Sequence, residues 1–110
     1  MTGESLPRRG EVWWVRVDKR RPAVVVQTDK LRDSRISTYL VVPLTSRLHL
    51  EGMPGNVRCE TRSTRLTKTS VANVYDVQKV LKSDLLERSG ELSATELERL
   101  SSGLRLVFGL

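Results

Sequence analysis

Alternating and valine-rich segments fill most of the chain before its C-terminus. Residues 10–17 alternate β-branched and aromatic residues, which predicts a strand. Valine-rich runs at 23–27 and 39–44 predict strands that are covered on both faces, and Pro43, which lacks an N–H, is expected at an edge or a bulge. Further strands are expected at positions 56–60, 70–75 and 78–81. Short strands at such close spacing are typical of a small barrel or sandwich.

The C-terminal pattern predicts a helix. Ser93 followed by Glu96 forms a capping box, in which each side chain satisfies a backbone N–H of the first turn. Leu92 and Leu97 flank this start as a hydrophobic staple. Apolar residues then recur every three or four positions and predict a stripe that faces the sheet: Leu97, Leu100, Leu104, Val107 and Phe108.

Length and composition set broad limits. The 110 residues suffice for one hydrophobic core, and no linker or internal repeat divides them, so we expect a single domain over residues 1–110. No apolar run approaches the roughly 20 residues of a membrane helix, and the first nine residues lack the apolar core of a signal peptide. The sequence therefore predicts a cytoplasmic, mainly β protein with a C-terminal helix, of the α+β class, without a membrane partner.

Cysteine and histidine are too scarce for a zinc site. A single cysteine, Cys59, excludes an internal disulfide, and a single histidine, His49, leaves no cluster of soft ligands. We expect no metal ion and no cofactor. Cys59 lies in an alternating segment and is expected to be a small buried side chain, and His49 is expected to be a solvated loop residue rather than a general acid or base.

A surplus of positive charge favours an anionic partner. The net charge is +6 and the pI is near 10.1, which suits nucleic acid, although basic side chains also keep small proteins in solution. The basic residues form two groups that could meet as one electropositive groove: Lys19, Arg20 and Arg21, and Arg58, Arg62, Arg65 and Lys68. The aromatic residues available for stacking on bases are Trp13, Trp14, Tyr39 and Tyr75, with packing as the alternative role of the tryptophans.

Seven short motifs occur in a characteristic order along nearly the whole chain from Arg9. Three are the most specific: RGEVW at 9–13, RPAVVV at 21–26 and VVPLTS at 41–46. Four shorter ones extend the pattern: PGNV at 54–57, TRL at 64–66, SVANV at 70–74 and GEL at 90–92. Together they resemble the MazF/PemK toxins of bacterial toxin–antitoxin pairs.

This resemblance implies an SH3-like, plasmid-toxin β-barrel with a C-terminal helix that works as a homodimer. It also implies a sequence-specific endoribonuclease that cleaves single-stranded RNA without a metal ion, inhibits translation and growth, and binds a cognate antitoxin protein. By the family pattern, the catalytic pair is Arg21, before the proline of the second strand, and Thr45, at the end of the third. RNA-binding residues are expected around them: Lys19, Arg20, Ser46, Arg47, Arg65, Lys68, Asp76 and Gln78.

The implied chemistry suits these residue types. Attack of the ribose 2′-hydroxyl on the neighbouring phosphorus places charge on the non-bridging oxygens and yields 2′,3′-cyclic phosphate and 5′-hydroxyl ends. Arginine offers those oxygens a fixed fork of donors, and the threonine hydroxyl adds one directed hydrogen bond. Because a guanidinium stays protonated, Arg21 is expected to act as electrostatic clamp or proton donor. The identity of the general base is left open.

Two departures from the family pattern concern RNA binding. Only three residues separate the first predicted strand from Arg21, whereas relatives have a longer, glycine-bearing connection that helps to bind RNA and antitoxin. At 75–78 this chain has Tyr-Asp-Val-Gln, where many relatives have an acidic residue, glutamine, an aliphatic residue and arginine. Asp76 and Gln78 therefore either read bases or hold neighbouring strands together.

Two other functions are compatible with the sequence. One is a non-catalytic toxin of the same fold that binds and poisons DNA gyrase through an exposed apolar tip at 108–110. The other is a plain nucleic-acid-binding barrel. Incubation with RNA in the presence of EDTA distinguishes both from a nuclease.

Overall fold

The computed structural model describes residues 6–110, in which an antiparallel sheet of seven strands carries the C-terminal helix on one face. The first five residues of the polar N-terminal segment lie outside this region. The elements in chain order are β1 (Glu11–Arg16), β2 (Arg20–Val25), β3 (Thr38–Thr45), β4 (Val57–Cys59), α1 (Thr61–Thr64), β5 (Ser70–Ala72), β6 (Gln78–Leu81), β7 (Leu85–Glu91) and α2 (Ala94–Phe108). Within the described region, no helix is long and apolar enough to cross a membrane.

Strand β3 organises the sheet. The strand order is β4-β5-β3-β2-β1-β7, and β6 pairs with β3 beside this path. One edge of β3 pairs with β2, and the other pairs with β6 along its first half and with β5 at its end. Pro43 lies where the partner changes from β6 to β5, so its missing N–H falls between two ladders. The result is a half-barrel with a C-terminal helix, which confirms the predicted fold class.

Both faces of the sheet are buried, as the valine-rich runs predict. One face packs against α2 through a cluster that includes Val12, Val24, Val42 and Leu100. The other face buries Val15, Ala23, Val25, Tyr39, Val41, Val80 and Leu85. Cys59 is a free thiol with no exposed surface in the first cluster, and burial raises its pKa to about 12. The prediction of a small, buried cysteine side chain is thereby confirmed.

Helix α2 begins at the predicted capping box. The Ser93 hydroxyl accepts from the Glu96 N–H at 3.1 Å, and Glu96 Oε1 accepts from the Ser93 N–H at 2.9 Å. Leu100 is fully buried, and the rest of the stripe packs on the same cluster, except for Phe108. The prediction for Phe108 was wrong, since this side chain is 58% exposed. Val107 contacts Gly55 at the end of the inward face, and Phe108 lies one residue further round the helix.

Glu96 also connects α2 to α1. Its Oε2 accepts from the Glu60 N–H at 2.9 Å, which satisfies a free donor at the start of α1. Burial alone raises the pKa of Glu96, but hydrogen bonds from the backbone N–H groups of Glu60 and Ser93 lower that pKa overall. Helix α1 is followed by Arg65 as its C-cap, whose φ of 63° lies in the left-handed region. The start of α2 thus anchors the short helix that leads into the Arg65 loop.

Strand β7 was not predicted. Its sequence, LLERSGE, is mostly polar and lacks regular alternation. It pairs along β1 with two register shifts, so backbone pairing rather than local preference makes it a strand. The predicted strand at 70–75 was too long, because the chain turns after Ala72.

Helix α2 approaches the turn before β4 so closely that we expect Gly103→Ala to destabilise the protein. A Cβ at Gly103 would overlap the Gly55 carbonyl and lie 3.1 Å from its Cα. Overpacking of this kind costs about 1–3 kcal/mol. Urea unfolding of the variant measures this cost. Gly52→Ala is the control, because a Cβ there meets nothing within 4 Å, and equal stability of the two variants would contradict the prediction.

Candidate active site

A cavity of about 400 Å³ opens where the start of β2, the end of β3 and the turn after β5 meet. Five of the residues predicted to bind or cleave RNA lie in its wall: Arg21, Thr45, Ser46, Arg47 and Asp76. The remaining wall is formed by residues that the sequence analysis did not name as site residues: Pro22, Pro43, Leu44, Leu50 and Asn73. Residues distant in sequence thus share one concave site with two guanidinium groups, hydroxyls and a carboxylate.

The strand pairings bring Arg21 and Thr45 into this cavity. Arg21 pairs with Val15 of β1, and two residues later Ala23 pairs with Pro43 of β3. Thr45, the last residue of β3, pairs with Val71 of β5. Its Oγ1 accepts from the Arg47 N–H at 3.2 Å, which orients the hydroxyl and leaves its hydrogen available as a donor. Antiparallel pairing of β2 with β3 therefore places the two residues in one wall.

Arg21 forms an ion pair with Asp18 in the short connection between β1 and β2. The Nε atom of Arg21 lies 3.2 Å from Asp18 Oδ1, and about half of the Arg21 side chain is exposed. The hydrogen bond from Arg21 is the main reason that the pKa of Asp18 is lowered. Among residues 6–110, the two terminal nitrogens of Arg21 have no hydrogen-bond partner. They are free to receive an anion in the cavity.

A turn after β5 carries Asp76 into the cavity. Asn73 Oδ1 accepts from the Tyr75 N–H at 3.2 Å, and the Asp76 N–H donates to the Asn73 carbonyl at 3.1 Å. An asparagine that caps its own turn in this way ends a strand, which is why the predicted strand at 70–75 stops early. Gln78 lies outside the cavity wall, and its Nε2 donates to Asp76 Oδ2 at 3.1 Å.

A second cavity of about 380 Å³ adjoins the first and shares three wall residues with it: Pro22, Leu44 and Ser46. Its wall is mostly apolar, with the predicted RNA-binding residues Arg65 and Lys68 also contributing. Trp14, Leu66, Thr67 and Ser70 complete it. Because the two cavities share these wall residues, we refer to them together as the groove, and cations from β2, from the segment after β3 and from the segment after α1 line it.

Lys19 and Arg20, both predicted to bind RNA, lie outside the two cavity walls. The Arg20 guanidinium lies 4.8 Å from the centre of the Trp14 ring, and its Nη2 atom is 2.7 Å from Glu87 Oε1. Arg20 therefore borders the groove at Trp14. Arg58 does not join the groove as the basic grouping suggested, because it pairs with Glu51 and Glu60 and lines a separate cavity against α2.

The other candidate side chains divide by burial. Tyr39 is only 4% exposed in the core, so it does not provide a stacking surface. Trp13 packs on the same core, and Tyr75 is exposed, with its hydroxyl donating to the Pro54 carbonyl at 2.6 Å. His49 is exposed in the 3₁₀ segment Leu48–Gly52 and is not part of either cavity wall.

Comparison with known proteins decides the family. Residues 8–108 match the profile of the PemK-like, MazF-like toxins of type II toxin–antitoxin systems. The chain belongs to this PemK/MazF family. It is 36% identical over 110 residues to endoribonuclease MazF2 of Mycobacterium bovis, a match that covers 93% of this chain and 96% of that protein.

Solved structures of PemK/MazF relatives share the fold. The Mycobacterium tuberculosis toxin MazF-mt6 superposes with a TM-score of 0.81 at 22% identity, covering 91% of this chain and 97% of that one. A mycobacterial endoribonuclease in complex with its cognate antitoxin gives a TM-score of 0.80 at 19% identity, with 96% of both chains covered. The sheet and the C-terminal helix described above are therefore the PemK/MazF fold.

Proposed function

We propose that this MazF-family endoribonuclease toxin cleaves single-stranded RNA in the groove, with Arg21 and Thr45 as the catalytic pair. Residues 1–110 act as a single toxin domain in the cytoplasm, and cleavage of cellular RNA inhibits translation and growth. The observation that carries this proposal is the shared cavity wall of Arg21 and Thr45, which antiparallel pairing of β2 with β3 brings together.

The geometry supports a division of roles between the two residues. The unpaired terminal nitrogens of Arg21 bind the non-bridging phosphate oxygens, and they stabilise the charge that grows there during attack by the 2′-hydroxyl. The Thr45 hydroxyl, oriented by the Arg47 N–H, donates one further hydrogen bond. The reaction gives a 2′,3′-cyclic phosphate and a 5′-hydroxyl and requires no metal ion.

The groove supports binding of RNA on both sides of the scissile phosphate. Arg47 contributes charge to the first cavity, and Arg65 and Lys68 contribute charge to the second. We assign RNA contacts to these three residues and to Lys19, Arg20, Ser46, Asp76 and Gln78. Trp14 offers an aromatic face in the second cavity, on which a base can stack.

Family membership supports two protein partners. We propose that the toxin forms a homodimer and that a cognate antitoxin covers the groove. The related mycobacterial endoribonuclease with a TM-score of 0.80 was solved in complex with its own cognate antitoxin. An acidic antitoxin segment would complement the net charge of +6 on this chain.

Incubation with a long synthetic RNA in EDTA tests the proposed function. We expect discrete fragments that end in 2′,3′-cyclic phosphates and 5′-hydroxyls, and mapping of those ends identifies the preferred sequence. Intact RNA at high protein concentration would contradict the proposal and favour a gyrase poison or a plain nucleic-acid-binding barrel.

RNA affinity should fall steeply with salt. If several cations contact phosphates, the logarithm of the association constant falls linearly with the logarithm of the salt concentration. Each contacted phosphate adds roughly 0.7 to the magnitude of this slope. We expect Lys68→Ala to reduce this slope by about 0.7. Titration of a 2′-deoxy-substituted RNA, which the enzyme cannot cleave, measures the effect. Lys30→Ala, which removes an exposed lysine outside the groove walls, is the control. A flat salt response would rule out the proposed contacts between the groove cations and RNA phosphates.

A further inference from the structure

The cavity wall around Arg21 and Thr45 offers few groups that could accept a proton. Guanidinium groups stay protonated, and neutral hydroxyl and amide groups are poor bases at neutral pH. His49, the chain's single histidine, is not part of the wall. Among the described residues that form this wall, Asp76 alone carries a carboxylate.

We propose that Asp76 is the general base that takes the proton from the attacking ribose 2′-hydroxyl. This inference rests on the proposed nuclease function and supplies the base that Arg21 and Thr45 leave unassigned.

The hydrogen bonds of Asp76 suit a proton acceptor. Gln78 Nε2 donates to Oδ2 at 3.1 Å and orients the carboxylate. The other oxygen, Oδ1, accepts no hydrogen bond from any residue in the described part of the chain. The turn from Asn73 fixes the backbone, because the Asp76 N–H donates to the Asn73 carbonyl. One oxygen is therefore anchored and the other is free to meet a hydroxyl.

The nearby Asp18 is less suited to this role. It lies outside the cavity wall, and its Oδ1 already accepts from Arg21 Nε. The hydrogen bond from Arg21 is the main cause that lowers the pKa of Asp18, which weakens its ability to accept a proton. The two carboxylates thus separate into one that pairs with Arg21 and one that lies in the cavity wall.

Proton transfer in the proposed step balances. The Asp76 carboxylate takes the proton of O2′ as the bond from O2′ to phosphorus forms. The bond from phosphorus to O5′ breaks, and O5′ receives a proton from Arg21 or from water. Exchange with solvent then removes the proton from Asp76 and returns a proton to the group that protonated O5′. In total, one proton moves from O2′ to O5′.

Single-turnover cleavage of a short RNA that contains one mapped site tests the role of Asp76. Loss of a general base lowers rates by about 10²- to 10⁴-fold, so we expect Asp76→Asn to lose at least a hundredfold in the rate at saturating enzyme. The enzyme concentration at half-maximal rate should change less than threefold, roughly 0.7 kcal/mol. Asp76→Glu should restore part of the rate, because it keeps the carboxylate.

The pH profile separates a base from a structural residue. The wild-type rate should rise with pH along an acidic limb as the carboxylate loses its proton. Asp76→Asn should lack this limb, and its cleavage rate should increase only at high pH, where hydroxide can act as the base. Asp18→Asn should keep the limb. Asp33→Asn, an exposed aspartate outside the groove walls, matches the charge change and should retain the wild-type rate.

A substrate with sulfur in place of O5′ separates the base from the acid. Because the thiolate leaving group needs no proton, this substrate bypasses the acid step. If Asp76 is the base, the substrate should therefore not restore the cleavage rate of Asp76→Asn. Restoration would assign Asp76 to the acid step and overturn the proposal. The proposal would also be overturned if Asp76→Asn kept the wild-type rate and its acidic limb. The same holds if the variant only raised the enzyme concentration at half-maximal rate and left the rate at saturation unchanged. If the wild-type protein cleaves no RNA, the proposed function fails first, and this inference fails with it.

Discussion

Replacing Arg21 with alanine should lower the rate of RNA cleavage by about a hundredfold or more. The guanidinium offers two unpaired terminal nitrogens to the cavity, and the loss of one preorganised donor to a developing negative charge typically costs about 10²- to 10³-fold. Arg21→Lys should recover only part of this loss, because an ammonium keeps the charge but lacks the planar fork. Single-turnover cleavage of RNA with a mapped site, with and without EDTA, measures both variants.

The fold should tolerate this change. The pair between Arg21 and Asp18 is largely exposed, and such pairs contribute about 0–1 kcal/mol to stability. Thermal unfolding of Arg21→Ala should therefore resemble that of the wild type. Arg35→Ala, which removes an exposed arginine from the loop between β2 and β3, is the matched control and should cleave RNA normally. Wild-type cleavage by a folded Arg21→Ala protein would remove Arg21 from the mechanism.

Leu100→Asp should prevent the protein from accumulating in soluble, folded form. Leu100 has no exposed surface and lies between α2 and the sheet. Removal of a buried leucine side chain costs about 2–5 kcal/mol, and an unpaired carboxylate in its place adds several more. Because the total stability of small domains is about 5–15 kcal/mol, these two costs together approach or exceed the free energy of unfolding. Soluble expression and circular dichroism measure the outcome.

The same helix supplies a control for this prediction. Leu106 is 63% exposed, so Leu106→Asp introduces the same charge without burying it. We expect this variant to express and melt like the wild type. A soluble Leu100→Asp protein with a normal melting temperature would mean that α2 does not depend on this contact with the sheet.

Local patterns predict α2 and the central strands well. The capping box at Ser93 and the apolar spacing act within one or two helical turns, so they can be read without the rest of the chain. The valine-rich runs likewise match β2 and β3, whose faces are both covered. Strand β7 and the turn at Asn73 were not anticipated, because one depends on pairing with β1 and the other on a side-chain hydrogen bond.

The candidate site shows the same division. Ordered motifs were sufficient to name Arg21 and Thr45 and to indicate the family, which the profile match over residues 8–108 confirms. The motifs do not show that Asp18 pairs with Arg21 or that Asp76 lies in the same cavity wall as Thr45. The clustering of basic residues in the sequence also does not distinguish Arg65 from Arg58. Arg65 lies in the groove, whereas Arg58 pairs with Glu51 and Glu60.

By itself, the sequence determined the class of the fold, the start of the C-terminal helix, the family and the residue types available for chemistry. The fold class and the helix start follow from periodicity and short-range hydrogen bonds, which involve neighbours in the chain, and the family follows from the resemblance of its ordered motifs. Only the tertiary structure decided which charged groups meet, because those distances depend on strand register and on turns that join distant segments. Asp76 illustrates this point, since its place in one cavity wall with Arg21 and Thr45 follows from where β5 ends and the chain turns.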